Sequence, residues 1–382
     1  MNDQPQGSVG EVLRLATRLG FTAFGGPAAH IAMLHDEVVT RRGWVEEQYF
    51  LDMVGATNLV PGPNSTEMVI HVGYHRAGWR GLIAAGVGFI LPAALLVGIL
   101  AWAYVEYGAT PQGTSLLYGI KPVIIAIVLQ ALYKLSKTAV KGPLLAAAGI
   151  VALALYLYGV NELVILFGLS LLVALVQLAR RGRDGSVKGL LPFVGLGGLP
   201  LVASQLVPVS LGQLFLVFLK VGALLYGSGY VLLAFLRNDL VLRLGWLTDQ
   251  QLLDAVAIGQ FTPGPVFTTA TFVGYVLAGI PGAIAATVGI FLPAFCFVAL
   301  LRRIVPAMRR SPWTAALLDG VNVAALGLMA GVTWQLGVSA VTDWLTALLA
   351  IAAAVALFRF KINSTWLVLA GGVIGLVAGW VR

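Results

Sequence analysis

The sequence predicts an all-α polytopic membrane protein made of two inverted-topology repeats. Each repeat is expected to carry about five transmembrane helices plus a Pro-Gly-Pro re-entrant hairpin. Three observations predict this. Only 10% of the 382 residues are charged and 59% are hydrophobic, against about 25% charged in soluble domains. The apolar residues gather in runs, such as 81–104 and 144–160, near the ~20 residues that cross a bilayer. The first half of the sequence also recurs in the second.

The recurrence holds its register with one slip of a single residue. Gly20, Gly25, Arg41, Trp44 and Asp52 align with Gly222, Gly227, Arg243, Trp246 and Asp254. Pro61-Gly62-Pro63 aligns with Pro263-Gly264-Pro265, and after a one-residue slip Gly73, Gly88, Pro92 and Gly119 align with Gly274, Gly289, Pro293 and Gly320. Agreement over this length reflects duplication and not shared composition. The chain therefore divides into a first repeat over 1–180, a basic cytoplasmic linker over 181–210 and a second, inverted repeat over 211–382.

Taken in order, the first half predicts elements near 12–34, 46–79, 81–104, 114–136, 143–160 and 162–179. The second half predicts them near 211–236, 248–279, 282–301, 314–336, 341–358 and 364–381. A helix over 46–79 would be ~50 Å long at 1.5 Å per residue, too long for one crossing. Pro-Gly-Pro interrupts it, because proline cannot continue a helix and glycine permits the turn. The favoured reading is a hairpin of two half-helices. It places Arg41, Arg42, Arg76 and Arg80 on the inner side. The alternative lets each hairpin and the linker cross, giving 6 + 1 + 6 = 13 spans.

Loop charges give the orientation of each half. The loop after the third element holds Glu106 in half one, and Arg302, Arg303, Arg309 and Arg310 in half two. The next holds Lys134, Lys137 and Lys141 against Asp343, and the last Glu162 against Arg359 and Lys361. Each pair reverses sign, which predicts opposite orientations, as in many secondary transporters. The net charge of +8 is thus explained by topology rather than by nucleic acid, and it would also suit an anionic substrate.

The Pro-Gly-Pro segments are the sharpest candidates for a site, with Pro61, Gly62, Pro63, Pro263, Gly264 and Pro265 as the turns. Behind them, Asn64, Ser65 and Thr66 in half one, and Thr268 and Thr269 in half two, open the second half-helix. Asn, Ser and Thr are N-cap residues, and a helix N-terminus offers unpaired N–H groups to an anion. Arg18 and Lys220 occupy equivalent positions just before the glycines Gly25, Gly26 and Gly227. With Lys121 they are cations within apolar runs, and such residues usually face a cavity. Two symmetric cations would suit a divalent oxyanion. Asp52, Asp254 and Glu67 are the candidates for carrying a proton, with structural ion pairing the alternative for the aspartates.

Other chemistry is less supported. His71 and His75 share a helical face, but without a third ligand no metal site is expected. The single cysteine, Cys296, forms no disulfide within the chain, and no Walker A motif or serine triad pattern is present. No cofactor is expected, and no cleavable signal peptide precedes the first element.

The sequence resembles the chromate ion transporter family of bacteria in its two-domain form. The residues that carry the resemblance run from Gly20 through Phe21, Thr22, Ala23, Phe24, Gly25 and Gly26 to Pro27. They continue with Gly43-Trp44 and with Pro61 to Glu67, echoed at Gly222, Gly227, Gly245-Trp246 and Pro263-Gly264-Pro265. The resemblance implies export of chromate across the inner membrane, driven by the proton gradient. Half two has Gly229, Val266 and Thr269 where half one has Pro27, Asn64 and Glu67, so half one is expected to dominate substrate contact. Sulfate shares chromate's shape and charge, so a sulfate carrier stays open. An intramembrane enzyme or a sensor is the reading of another class. Lipid surrounds the chain in every case, and a homodimer is compatible with them all.

Overall fold

The computed structural model describes residues 7–23, 26–57, 60–181, 209–225, 231–308, 312–360 and 362–381. Every regular element among them is helical. Half one contains α1 (Val9–Thr22), α2 (Pro27–His35) running into a π-helical turn (Asp36–Arg41), α3 (Glu47–Thr57), α4 (Asn64–Tyr107), α5 (Pro111–Ala139), α6 (Pro143–Leu157) and α7 (Glu162–Arg181). Half two contains α8 (Leu211–Leu224), α9 (Leu232–Leu236) with a π-helical turn (Arg237–Arg243), α10 (Asp249–Phe261), α11 (Thr269–Met308), α12 (Pro312–Ala340), α13 (Trp344–Arg359) and α14 (Ser364–Val381).

Local sequence sets the helix starts. The hydroxyls of Ser8, Thr110 and Ser210 accept from the backbone N–H of Glu11, Gly113 and Gln213. Thr248 and Asp343 each form a reciprocal capping box with the residue three positions on. Each cap satisfies a donor that the helix cannot, which matters more where no water reaches.

The expectation of one continuous element over 12–34, and of another over 211–236, is corrected. The first helix ends at Thr22, and Gly26 takes φ 81° before Pro27 starts α2. Proline has no N–H to lose at a helix start, and glycine tolerates the left-handed backbone. The chain then doubles back. Arg18 on α1 forms an ion pair with Glu37 on the π-helical turn, whereas a straight helix would set these residues ~28 Å apart. In half two, α8 ends at Leu224, α9 starts at Leu232, and Lys220 pairs with Asp239.

The segment that follows also doubles back. The Tyr49 ring of α3 lies 4.9 Å from the His75 ring of α4, so residues 47–57 and 64–76 run side by side in opposite directions. A second reversal then splits α4 into this short arm and a long arm over 79–107. Ala77 and Gly78 depart from helical geometry there (φ/ψ −140/23° and 59/−149°), and Ala278 and Gly279 do the same in α11 (−149/26° and 61/−151°). The reversal is tight because glycines meet across it. A Cβ on Gly73 would lie 2.5 Å from the Gly81 carbonyl oxygen, and one on Gly274 would lie 2.2 Å from that of Gly282.

The two halves interlock. Helix α5 packs between α13 and α14, and α12 between α6 and α7. Backbones approach closely at both contacts: a Cβ on Gly119 would sit 2.0 Å from the Gly371 oxygen, and one on Gly320 2.6 Å from the Ser170 Cα. Such small-residue contacts are how membrane helices gain dispersion energy without a hydrophobic driving force between them. The α4 reversal packs on the long arm of α11, with Ile70 of the short arm and Leu82 of the long arm clustering against Ala294 and Val298.

Outward faces are apolar. Ile83, Val87, Leu91, Leu95, Ile99 and Trp102 form an exposed stripe along the long arm of α4 at helical spacing, a surface suited to lipid and not to water. Among the described residues, Asn64–Tyr107, Pro111–Ala139, Glu162–Ala179, Val266–Leu300 and Ala315–Ala340 are long and apolar enough to cross a bilayer. The protein is an all-α, multi-pass membrane protein. Of the expected linker, residues 182–208 lie outside the described set.

Candidate functional site

The charged residues of the first helices have partners at equivalent positions in both halves. Arg18 meets Glu37, and Lys220 meets Asp239 at 2.6 Å. Arg41 lies 3.3 Å from Glu37, and Arg243 lies 3.1 Å from Asp239. His35 and Glu47 are 2.8 Å apart, and Arg237 and Asp249 are 2.7 Å apart. Burial alone would push the Glu37 carboxyl up, yet Arg18, Arg42 and Arg41 together hold it below the usual carboxylate range. Arg18 and Lys220 are therefore each tied to a buried carboxylate that braces the doubled-back first hairpin. The sequence reading placed these cations but did not pair them, because their partners lie on π-helical turns it had not placed.

Lys121 joins the halves. Its ammonium lies 3.2 Å from Asp254 of α10 and donates to Gln250 at 2.7 Å. The Tyr104 hydroxyl donates to the other Asp254 oxygen at 2.9 Å. Asp254 is thus an interhelical anchor. The side chain of Asp52, and Gly25 and Gly227 altogether, lie outside the described residues.

The two Pro-Gly-Pro turns sit deep in the molecule, and each is bonded to the opposite half. Gly62, at φ 140°, donates its N–H to the Leu225 oxygen at the end of α8, at 2.8 Å. Gly264, at φ 89°, donates to the Ala23 oxygen at the end of α1, at 2.9 Å. Helix C-termini leave carbonyls unpaired, and each turn supplies one of them with a donor. The depth is fixed by Ala93, midway along the long arm of α4: a Cβ on Gly264 would lie 2.6 Å from the Ala93 Cβ. All six turn residues are buried.

Behind these matched turns the halves differ. In half two, Thr268 donates to the Pro265 oxygen and Thr269 to the Val266 oxygen, both at 2.8 Å. Their neighbours are the apolar Val266 and Phe267, in a 3-10 turn. In half one the helix starts directly at Asn64. Ser65 is shared with the buried ring of His30 at 3.3 Å. The Thr66 hydroxyl and both carboxyl oxygens of Glu67 are buried with no hydrogen-bond partner. Glu67 is fully buried and stands against the turn itself, since a Cβ on Gly62 would fall 2.3 Å from its Oε1. Native proteins rarely leave buried polar groups unpaired, so such a group points to a role. The sequence marked His30, with His71 and His75, as an interfacial or pore-lining histidine of half one; its contact with Ser65 depends on packing between helices.

A cavity of about 370 Å³ lies elsewhere, against the α4–α5 turn, lined by Tyr104, Leu116, Leu117, Ile120, Val368 and Leu369. Its apolar walls offer an anion nothing. Among the described residues, no group of three or more His, Cys, Asp or Glu side chains is placed to hold a metal.

Comparison with known proteins agrees with this architecture. The sequence model of the Chromate transporter family matches residues 10–176 and 212–376. A chromate transport protein of Cupriavidus metallidurans is 33% identical over 366 residues, covering 94% of this chain and 91% of that protein. A probable chromate transport protein of Synechococcus elongatus is 31% identical, covering 98% and 96%. A chromate transport protein of Pseudomonas aeruginosa is 33% identical, covering 95% and 90%. No solved structure matches. A family match in each half, with full-length relatives above 30% identity, places this multi-pass protein in the bacterial inner membrane, and the chain belongs to the chromate transporter family.

Proposed function

We propose that this protein is a secondary transporter that carries chromate across the inner membrane, with the Pro-Gly-Pro turn of half one as the anion's seat. One observation carries the reading. A half-helix N-terminus bearing Asn64, Ser65 and Thr66 starts directly behind a buried turn, whose Gly62 N–H is given to the Leu225 oxygen at the end of the broken α8, while the second turn gives its Gly264 N–H to the Ala23 oxygen at the end of the broken α1. Half-helix N-termini at the midplane hold anions in many transporters, since backbone N–H groups and the helix dipole both favour negative charge. The Gly26–Pro27 start of α2 leads to His30, which reaches Ser65, and in this reading the Thr268–Thr269 region closes the seat from the other half.

Glu67 is the proton site in this reading. A carboxylate buried without a cation is costly, and its charge would sit beside the seat of a dianion. Gaining a proton makes that seat hospitable, and losing it makes the seat repulsive. Asp254 is held by Lys121 and Tyr104 and serves the frame. Arg18 and Lys220, each balanced by a carboxylate, keep the hairpins around the seat rigid. The resemblance implies efflux, which the membrane potential favours for a dianion; a proton seated with the anion would leave with it, and the interlocked halves would alternate access around the turns.

The same geometry supports a membrane topology. In this reading residues 9–41 double back without crossing, each half crosses four times, and both hairpins of a half re-enter from one side; for the halves to be inverted the linker over 181–210 must then cross as well, instead of staying cytoplasmic. In half one the re-entry side carries Arg41, Arg42, Arg76, Arg80, Lys134, Lys137 and Lys141, which makes it cytoplasmic. The reversed loop charges of half two support the opposite sense for it.

The test is flux of labelled chromate in proteoliposomes, with and without an imposed pH gradient. Saturable, pH-dependent chromate flux is expected. Flux of sulfate that chromate does not inhibit would make this a sulfate carrier, and no flux of either would favour an enzyme or a sensor.

A further inference from the structure

We infer that Glu67, His71 and His75 form a proton path along the short arm of α4, connecting the central turn with the cytoplasmic end of the molecule. This rests on the proposed role of Glu67 as the proton site and extends it by naming the route.

The three residues are successive i, i+4 positions and so line one face of the helix, ~6 Å of rise apart. Their exposure rises in order. Glu67 is fully buried, His71 is partly buried and His75 is exposed. Both Glu67 oxygens and Nε2 of His71 lack hydrogen-bond partners, so each has free capacity for a bridging water. The arm ends at the Ala77–Gly78 reversal, between Arg76 and the exposed Arg80. Imidazole suits this task because it takes up a proton on one nitrogen and releases one from the other near neutral pH.

The surroundings leave the row free to act. On α3, the Tyr49 ring lies against His75 and Glu47 is committed to His35. On α2, His30 is committed to Ser65. On α1, Glu11 pairs with Arg76, the cation beside His75, and Arg18 with Glu37. Against the short arm, α11 presents Ala294, Phe295 and Val298, and α10 keeps Asp254 on Lys121. The matching arm of half two carries Thr269, Phe272, Val273 and Val276. No such row exists there, so it is not a by-product of duplication.

The experiment compares two modes in proteoliposomes: chromate flux driven by a pH gradient, and chromate–chromate exchange at equal pH, which needs no net proton movement. His71→Phe and the smaller, polar His71→Gln are each expected to slow driven flux about tenfold or more, with exchange slowed much less. His71→Glu is expected to restore part of the driven flux with a shifted pH profile. Full driven flux in both His71→Phe and His71→Gln overturns the path. Equal loss of both modes in His71→Gln, at unchanged thermal stability, also overturns it in favour of a packing or binding role. Glu67→Gln is the separate arm: unaltered pH coupling there removes the proton site itself, whatever the histidine variants do.

Discussion

The two Pro-Gly-Pro hairpins share a backbone and differ in chemistry. Both turns are buried, both glycines have positive φ, and each N–H is given to the first helix of the other half. Behind the second turn, two threonines satisfy themselves on local carbonyls amid apolar neighbours. Behind the first, Thr66 and Glu67 are buried without partners and His30 reaches Ser65. Duplication supplied two copies of one frame. One copy satisfies its threonine hydroxyls locally, while the other leaves Thr66 and Glu67 unsatisfied, the groups on which the proposed seat and proton site rest.

This contrast can be broken by mutation. The largest effect is expected at Glu67, where Glu67→Gln should reduce pH-driven chromate flux by about tenfold or more and flatten its pH profile. A Thr269→Val change at the equivalent place should leave flux within about twofold, since it loses only a local hydrogen bond of about 1 kcal/mol. Comparable losses in both would end the claim of asymmetry.

Next come the ion pairs, which test the frame. Lys220→Ala removes one of the two cations on Asp239, a fully buried carboxylate. Breaking a buried pair typically costs about 3–5 kcal/mol, so a clear fall in melting temperature in detergent is expected. Arg18→Ala should cost less, because Glu37 keeps Arg41 and Arg42. The pairwise change Lys220→Met with Asp239→Leu should recover stability. If stability recovers while flux stays lost, the cation also serves the anion.

The turns themselves sharpen the shared part of the comparison. Gly62→Ala and Gly264→Ala each place a side chain at positive φ, at a cost of roughly 1–2 kcal/mol, and against Glu67 or Ala93 respectively. Both should lower thermal stability to a similar degree, whereas only Gly62→Ala should also alter the pH profile. The smallest effect concerns topology. In a chain with Cys296 replaced, a cysteine at Lys141 should react with an impermeant maleimide only from the cytoplasmic side, and one at Gly108 only from the other side.

Much of this fold could be read from the sequence. Apolar runs set the helices, prolines and glycines marked the central turns, and the paired motifs gave the element order. The Gly25-Gly26-Pro27 break was the chief omission, because the surrounding residues are apolar enough to read as one continuous helix. The doubled-back path became visible only through the Arg18–Glu37 contact, which joins residues far apart in sequence. For the same reason Arg18 and Lys220 looked isolated: their partners sit on π-helical turns, which leave no periodic signal. Glu67 could be picked out as a carboxyl near a helix start. That both of its oxygens would lie unpartnered against Gly62 depended on packing between helices, which no local pattern encodes.

The central claim is that the anion sits at the start of the short arm of half one. A cryo-electron microscopy map of the protein in lipid nanodiscs, recorded with and without chromate, tests it most directly. Chromate-dependent density bonded to Ser65, Thr66 and the backbone N–H groups behind Pro63 is the expected result. Density seated behind Pro265, or remote from both turns, would contradict the account.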